Sequence, residues 1–259
     1  MAMETAGSYI LEVQGLEKRF GGLTAIGDLS FSVEKGVIFA VIGPNGAGKT
    51  TLFNMLTSVY TPTAGRIFFK GQDVTGMPPY RLARLGMGRT FQNLQIFMNM
   101  TVLENVMVGT HIKGRQGILA AALRLPYVLQ EEKMLRKDAE AALEFCGMAD
   151  LANRSAAGLP YGILKKLEIA RALAAGPELL LMDEPAAGLN DSETLELSIL
   201  ISRIRDSGTT VVLVEHNMGL VMDISDRVLV LNYGRLLAEG VPKQVQTDPR
   251  VIEAYLGSD

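Results

Sequence analysis

The sequence is poor in cysteine. Cys146 stands alone among 259 residues, so no internal disulfide framework is available and the chain suits a reducing compartment. A lone cysteine in an apolar helical pattern reads as a small buried residue. Long hydrophobic runs are also missing. No window reaches about 18 uninterrupted apolar residues, and the nearest candidate, residues 118–129, is broken by Arg124 and Pro126. No basic-then-apolar leader opens the chain. The expectation is therefore a soluble protein whose membrane role, if it has one, is that of a peripheral subunit. There is no basic excess: the net charge is −3, which disfavours a duplex nucleic-acid binder. Internal repeats and low-complexity tracts are absent. Core material is plentiful at 48% hydrophobic residues, and the length fits one α/β domain with a sizeable insertion.

One run dominates what is present. Gly43, Pro44, Asn45, Gly46, Ala47, Gly48, Lys49 and Thr50 follow an apolar stretch, residues 37–42, and precede a helix-like stretch starting at Thr51. Strand, glycine-rich loop and helix is the context of a P-loop. A triphosphate is strongly anionic and must be held without bulky side chains in the way. Glycines let the backbone wrap closely and point successive N–H groups inward. The helix N-terminus adds positive potential, Lys49 brings a full charge to the β/γ-phosphates, and the Thr50 hydroxyl can hold Mg²⁺. Gly43 through Thr51 are thus the expected nucleotide-binding residues.

Around this run the chain alternates strands and helices. Residues 10–13 and 29–33 read as strands before the P-loop, with a turn at 18–22, and suggest a small antiparallel β-subdomain beside the α/β core. Residues 66–69 read as a further strand ending in a turn at 71–73, then a short helix opens at Pro78–Pro79. Residues 101–110 read as another short helix. Residues 111–158 turn helical, with Leu135, Ala139, Ala142 and Cys146 on one face at i, i+4, i+7 and i+11. A helix is expected over 163–175. Residues 179–182 and 210–214 have the near-continuous apolar character of parallel strands, each followed by a helix (192–206 and 218–224). Strands at 227–231 and 235–238 close the sheet. The expected domain is single: an α/β core with its β-subdomain at about 9–92 and 177–241, a helical subdomain at about 93–176, and a helical tail at 242–259.

The strand at 179–182 ends in Asp183 and Glu184. An acid at the end of a buried strand beside a phosphate site can reach Mg²⁺, directly or through water, which assigns Asp183 to the metal. Glu184 is then placed to polarise an attacking water as general base.

Together these segments resemble the ATP-binding subunits of ABC transporters, with Walker A and B motifs followed by a D-loop-like run, Pro185–Asn190. The resemblance covers nearly the whole chain in the right order. It implies a P-loop ABC ATPase fold, ATP and Mg²⁺ as ligands, and further site residues. Gln92 falls at the Q-loop glutamine, where its amide can touch Mg²⁺ and the attacking water. His216 falls at the switch histidine, which holds the γ-phosphate and the water. Phe20 falls at the aromatic that stacks on adenine, or else packs the first sheet. The sequence departs from the family at its signature, normally Leu-Ser-Gly-Gly-Gln. Here Leu159 is followed by Pro160, Tyr161, Gly162 and Ile163. Pro160 lacks both hydroxyl and N–H, and Ile163 lacks the amide. The composite site closed by this signature is expected to be weak, unless the partner compensates.

Within the family the chain is similar to the ATPase of branched-chain amino acid importers, in the segment Tyr161–Arg171, in Glu184–Asn190, in the helical insertion and in the ending Glu253-Ala254-Tyr255-Leu256-Gly257. Relatives moving urea or short amides, or the lipopolysaccharide-export ATPase, would look similar and are the alternatives within the family. A soluble ABC ATPase acting on DNA or ribosomes is the alternative from another class. The resemblance implies a peripheral subunit on the cytoplasmic face of the membrane. Its partners would be a second ATPase chain (a copy or a paralogue), two transmembrane permease subunits and, indirectly, a binding protein. Residues 93–115, Phe97, Met98 and Met100 among them, are candidate permease contacts or plain core.

Overall fold

The structure is a computed structural model that describes residues 9–113 and 126–256. The loose start expected at residues 1–8, the apolar run at 118–129 up to residue 125, and Gly257 at the chain end lie outside the described residues.

In chain order the elements are β1 (Tyr9–Phe20), β2 (Leu23–Glu34), β3 (Ile38–Ile42), α1 (Lys49–Leu56), β4 (Ala64–Phe69), β5 (Gln72–Asp73), α2 (Pro79–Leu85), β6 (Met87–Arg89), α3 (Val102–Thr110), α4 (Pro126–Phe145), α5 (Tyr161–Ala174), β7 (Leu179–Asp183), α6 (Asp191–Asp206), β8 (Thr210–Val214), α7 (Met218–Ile224), β9 (Arg227–Asn232), β10 (Arg235–Gly240), α8 (Pro242–Gln246) and α9 (Pro249–Leu256). Two sheets result, one ordered β2-β1-β4-β5 and antiparallel, the other β10-β9-β3-β8-β7-β6. In the second, β9, β3, β8, β7 and β6 run parallel and only β10 is antiparallel.

The P-loop strand β3 sits inside the larger sheet with all five residues buried. Period-two alternation divides its side chains between two cores. Phe39 and Val41 face α1 and the antiparallel sheet, packing with Leu52, Phe53, Leu11 and Phe69. Ile38, Ala40 and Ile42 face the helices, packing with Val106, Leu167, Leu197 and Val221. The sheet is therefore covered on both faces, as a parallel sheet requires. The two early strands belong to the smaller, antiparallel sheet, as expected for an ABC ATPase core with a small β-subdomain.

The main differences from the sequence-based expectation are at β1 and β2, at β6 and at α5. β1 and β2 extend to a two-residue turn at Gly21–Gly22 rather than one at 18–22. Register shifts between Val13 and Arg19 break the alternation that would have marked the strand. β6 was not expected at all: it is three residues long, contains Gly88, and pairs only with β7 at the sheet edge. α5 starts at Tyr161, with Pro160 as its N-cap, because proline's fixed φ suits a helix entry. Cys146 lies just past α4 yet stays buried with Ala139 and Ala142, while Leu135 is only partly covered.

Candidate active site

The loop after β3 closes tightly. Gly48, the N-cap of α1, has φ 103°, a left-handed conformation that side chains resist. A Cβ there would also lie 2.7 Å from Ile26 Cδ1 and 2.8 Å from the Ala25 carbonyl. Gly43 approaches the Leu231 carbonyl so closely that a Cβ would sit 2.2 Å from it. Lys49 is buried and donates from Nζ to the carbonyls of Gly43 (2.7 Å) and Pro44 (3.0 Å). Burial pushes its amine pKa down, and the Glu184 carboxylate opposes that shift. The loop thus folds around its own lysine, and a bound phosphate would replace those carbonyls as its partner.

Asn45 to Thr51 line a cleft of about 380 Å³ together with Glu184 and His216, and Leu23, Ala25 and Tyr233 line it as well. Two sequence-predicted residues meet a third at its carboxylate, that of Glu184. His216 Nε2 is 2.9 Å from Glu184 Oε1, and the Gln92 amide donates to Glu184 Oε2 at 2.6 Å. Glu184 itself has φ 48°, a strained conformation for a non-glycine residue, of the kind that clusters at functional sites.

Other predicted residues stand apart from the cleft. Asp183 is buried at the end of β7 and pairs with Arg89 at 3.0 Å. Burial raises its carboxyl pKa while Arg89 pulls it back. Phe20 is 44% exposed, so it is not packing the first sheet. Its ring meets Tyr60 edge-on at 5.4 Å, with Lys18 Nζ 5.1 Å from the centroid. Pro160, Tyr161, Gly162 and Ile163 form the entry of α5, away from the residues lining the cleft. A Cβ on Gly162 would meet Glu193 Oε1 at 2.5 Å, so α6 packs directly on that turn.

Five charged residues escaped the sequence reading. Arg89 bridges Asp183 to α1, donating to Thr57 Oγ1 (2.6 Å) and Asn54 Oδ1 (3.0 Å). α5 grips the Gln92 segment by its backbone: Lys165 donates to the Gln92 carbonyl at 3.2 Å, Glu168 accepts from Phe91 N–H at 3.1 Å, and Arg171 donates to the Gln95 carbonyl. Burial lowers the Lys165 amine pKa, opposed first by Glu168, and raises the Glu168 carboxyl, opposed by the Phe91 N–H. Glu215 is buried beside His216. The available signal was charge at positions on apolar faces: Lys165 and Glu168 interrupt the buried side of α5.

Among the described residues no group of three or more His, Cys, Asp and Glu side chains could hold a metal ion alone. Thr50 and Asp183 are nevertheless hard oxygen donors, the kind Mg²⁺ uses when substrate phosphates complete its shell.

Comparison with known proteins agrees with this geometry. Residues 26–187 match the family model described as ABC transporter, and residues 235–259 match that described as branched-chain amino acid ATP-binding cassette transporter. The high-affinity branched-chain amino acid transport ATP-binding protein BraF of Pseudomonas aeruginosa is 46% identical, covering 96% of this chain and 98% of its own. The corresponding LivG of Escherichia coli is 45% identical with the same coverage. Among solved structures, the ADP conformation of MJ1267, an ATP-binding cassette of an ABC transporter, superposes with a TM-score of 0.85 at 34% identity, covering 97% of this chain and all of that one. The chain accordingly belongs to the ABC transporter ATP-binding family, in its branched-chain amino acid transport group.

Proposed function

We propose that this chain is the ATP-hydrolysing subunit of an importer that energises uptake of branched-chain amino acids through a separate membrane permease. The observation that carries the hydrolytic half is the Glu184 carboxylate, held between Gln92 and His216 in the cleft that the P-loop lines. The import half rests on near-full-length similarity to BraF and LivG.

The residues divide the work as follows. P-loop N–H groups and Lys49 bind the β/γ-phosphates. Thr50 and Asp183, with Gln92 nearby, would hold Mg²⁺, which supplies charge neutralisation on the phosphates when bound. Glu184 accepts a proton from water as its oxygen attacks the γ-phosphorus and the bond to the ADP oxygen breaks. His216 holds that water and the γ-phosphate. Phe20, exposed at the end of β1, offers its ring to adenine.

One chain leaves the γ-phosphate open on one side, so a second ATPase chain closes it with its own signature. Residues 9–92 and 177–241 act as the catalytic unit, 93–176 as the helical unit, and 242–259 as the tail. Among the described residues no helix is long and apolar enough to cross a membrane, which is in keeping with a peripheral subunit on the cytoplasmic face. A groove of about 620 Å³ beside the Gln92 segment, lined by Tyr80, Leu82, Phe91, Val108 and Ile112, together with exposed Phe97 and Met98, supports a contact with the permease here.

ATP turnover of the chain, alone and with permease, partner ATPase and a leucine-loaded binding protein in membranes, tests this. Stimulation by the assembly, abolished by Glu184→Gln, is expected. Strong activity indifferent to membranes but raised by DNA or ribosomes would overturn the importer.

A further inference from the structure

The loop that carries Glu184 and the loop that carries His216 are joined by a side chain with no part in the reaction described above. β7 and β8 pair in register up to Asp183 opposite Val214, and one further rung follows, from Glu184 N–H to the Val214 carbonyl at 2.9 Å. There the backbone ladder stops. Glu184 turns into the left-handed region, and Pro185 has no N–H to offer. The next donor belongs to Ala186, which is buried, and a buried N–H left without a partner is costly. Glu215, the first residue after β8, takes it: Oε1 accepts from Ala186 N–H at 2.7 Å. The other oxygen accepts from His216 N–H at 2.9 Å and Asn217 N–H at 3.3 Å. One carboxylate thus continues the sheet where the backbone cannot, with one oxygen on each loop.

The residue type matters. Glu215 is 3% exposed, and its hydrogen bonds among the described residues go to backbone N–H groups alone. Burying a carboxylate is expensive unless its oxygens are fully engaged. An apolar residue would extend the all-buried run of β8 at less cost. What it cannot do is bridge two loops. The two loops are those whose side chains meet at 2.9 Å as Glu184 Oε1 and His216 Nε2.

We propose that Glu215 is a positioning residue for hydrolysis: its two oxygens lock the Ala186 and His216 backbones into one frame and so set the distance between Glu184 and His216. The inference rests on the hydrolytic function proposed above. Glu215 is not among the residues that line the cleft, so its loss spares binding and slows the chemical step.

The test compares wild type with Glu215→Gln, Glu215→Asp, His216→Ala and the double variant Glu215→Gln/His216→Ala. ATP turnover is measured on the assembled transporter and ATP affinity on the purified full-length chain. Glutamine keeps the shape but replaces one acceptor oxygen by NH₂, releasing one loop. Aspartate keeps both oxygens and the charge but retracts them by one methylene. Loss of charge-assisted hydrogen bonds should lower kcat by about 10- to 100-fold in Glu215→Gln, with ATP affinity within about twofold of wild type. Glu215→Asp should recover part of the loss. Adding Glu215→Gln to His216→Ala should cost little more, because the first acts through the second. The proposal is overturned if both Glu215 variants keep wild-type kcat, if affinity and melting temperature fall in step with kcat, or if the double variant shows the full product of the single losses. Should Glu215→Gln not fold, Glu215→Asp carries the same kcat-against-affinity comparison. Failure of the underlying function looks different: wild type itself would not turn over ATP with the permease present, and Glu184→Gln would change nothing.

Discussion

The Gln92 amide donates a 2.6 Å hydrogen bond to Glu184 Oε2. With His216 on the other oxygen, both oxygens of the proposed base are engaged, and a water joins them at the lone pairs these contacts leave free. Gln92→Glu would set a second carboxylate against Glu184. Like charges at that separation resist joint ionisation, so the acid side of the pH–rate profile should move upward. Gln92→Ala removes the contact without adding charge and should weaken stimulation by the permease while leaving that profile in place. Turnover across pH 5–9, with and without permease, reads both.

Arg89 predicts a stability effect. It is half-buried, pairs with the buried Asp183 at 3.0 Å and fastens that strand end to Asn54 and Thr57 of the P-loop helix and its cap. Arg89→Met leaves the Asp183 carboxylate buried without its cation, which should cost about 3–5 kcal/mol. Adding Asp183→Asn should recover much of that loss. Urea midpoints of the three variants decide it, and equal midpoints for wild type and Arg89→Met would sink the idea.

The signature departs from its family at Pro160 and Ile163, and the structure gives α5 a proline N-cap without a side-chain hydrogen bond. Pro160→Ser combined with Ile163→Gln restores a hydroxyl and an amide at the helix entry. ATP turnover in the full complex should rise severalfold, on the order of one added charge-assisted hydrogen bond. Unchanged turnover would mean that the partner subunit already compensates.

Cys146 offers a pH-dependent check on the helical core. Burial pushes its thiol from 9.0 to about 12. The folded state therefore holds the proton more tightly than the unfolded one. Below pH 9 the thiol is protonated in both states and makes no difference. As pH rises from 9 towards 12, the folded chain binds more protons and stability falls. Cys146→Ala should flatten that alkaline decline in denaturant titrations. At pH 8 a thiol reagent should label the native chain slowly and the unfolded chain at once.

Much of the site was legible without coordinates. The P-loop, Asp183 and Glu184 announce themselves because their chemistry demands particular residue types beside apolar strands, and strand ends are readable from composition, whereas His216 was assigned through the family resemblance. β3, β7 and β8 are near-continuous apolar runs, so their limits fell within a residue of expectation. β6 was invisible because three residues with a central glycine carry no period, and its strand conformation exists only through pairing with β7. The length of β1 was hidden by bulges that break alternation.

The sequence by itself carried the P-loop as a nucleotide site and made Glu184 the candidate acid to act on water, both from local spacing, which survives in one dimension; the ABC ATPase family came through resemblance over nearly the whole chain. Only the tertiary structure decided that Gln92 and His216 share one carboxylate, that Arg89 braces Asp183, and that α5 holds the Gln92 segment by its backbone. It alone brought Ala186 to the Glu215 carboxylate. These contacts join residues far apart in the chain through buried charges and backbone N–H groups. Their partners are chosen by which loops the sheet order brings side by side, and that order is written in no single stretch of the sequence.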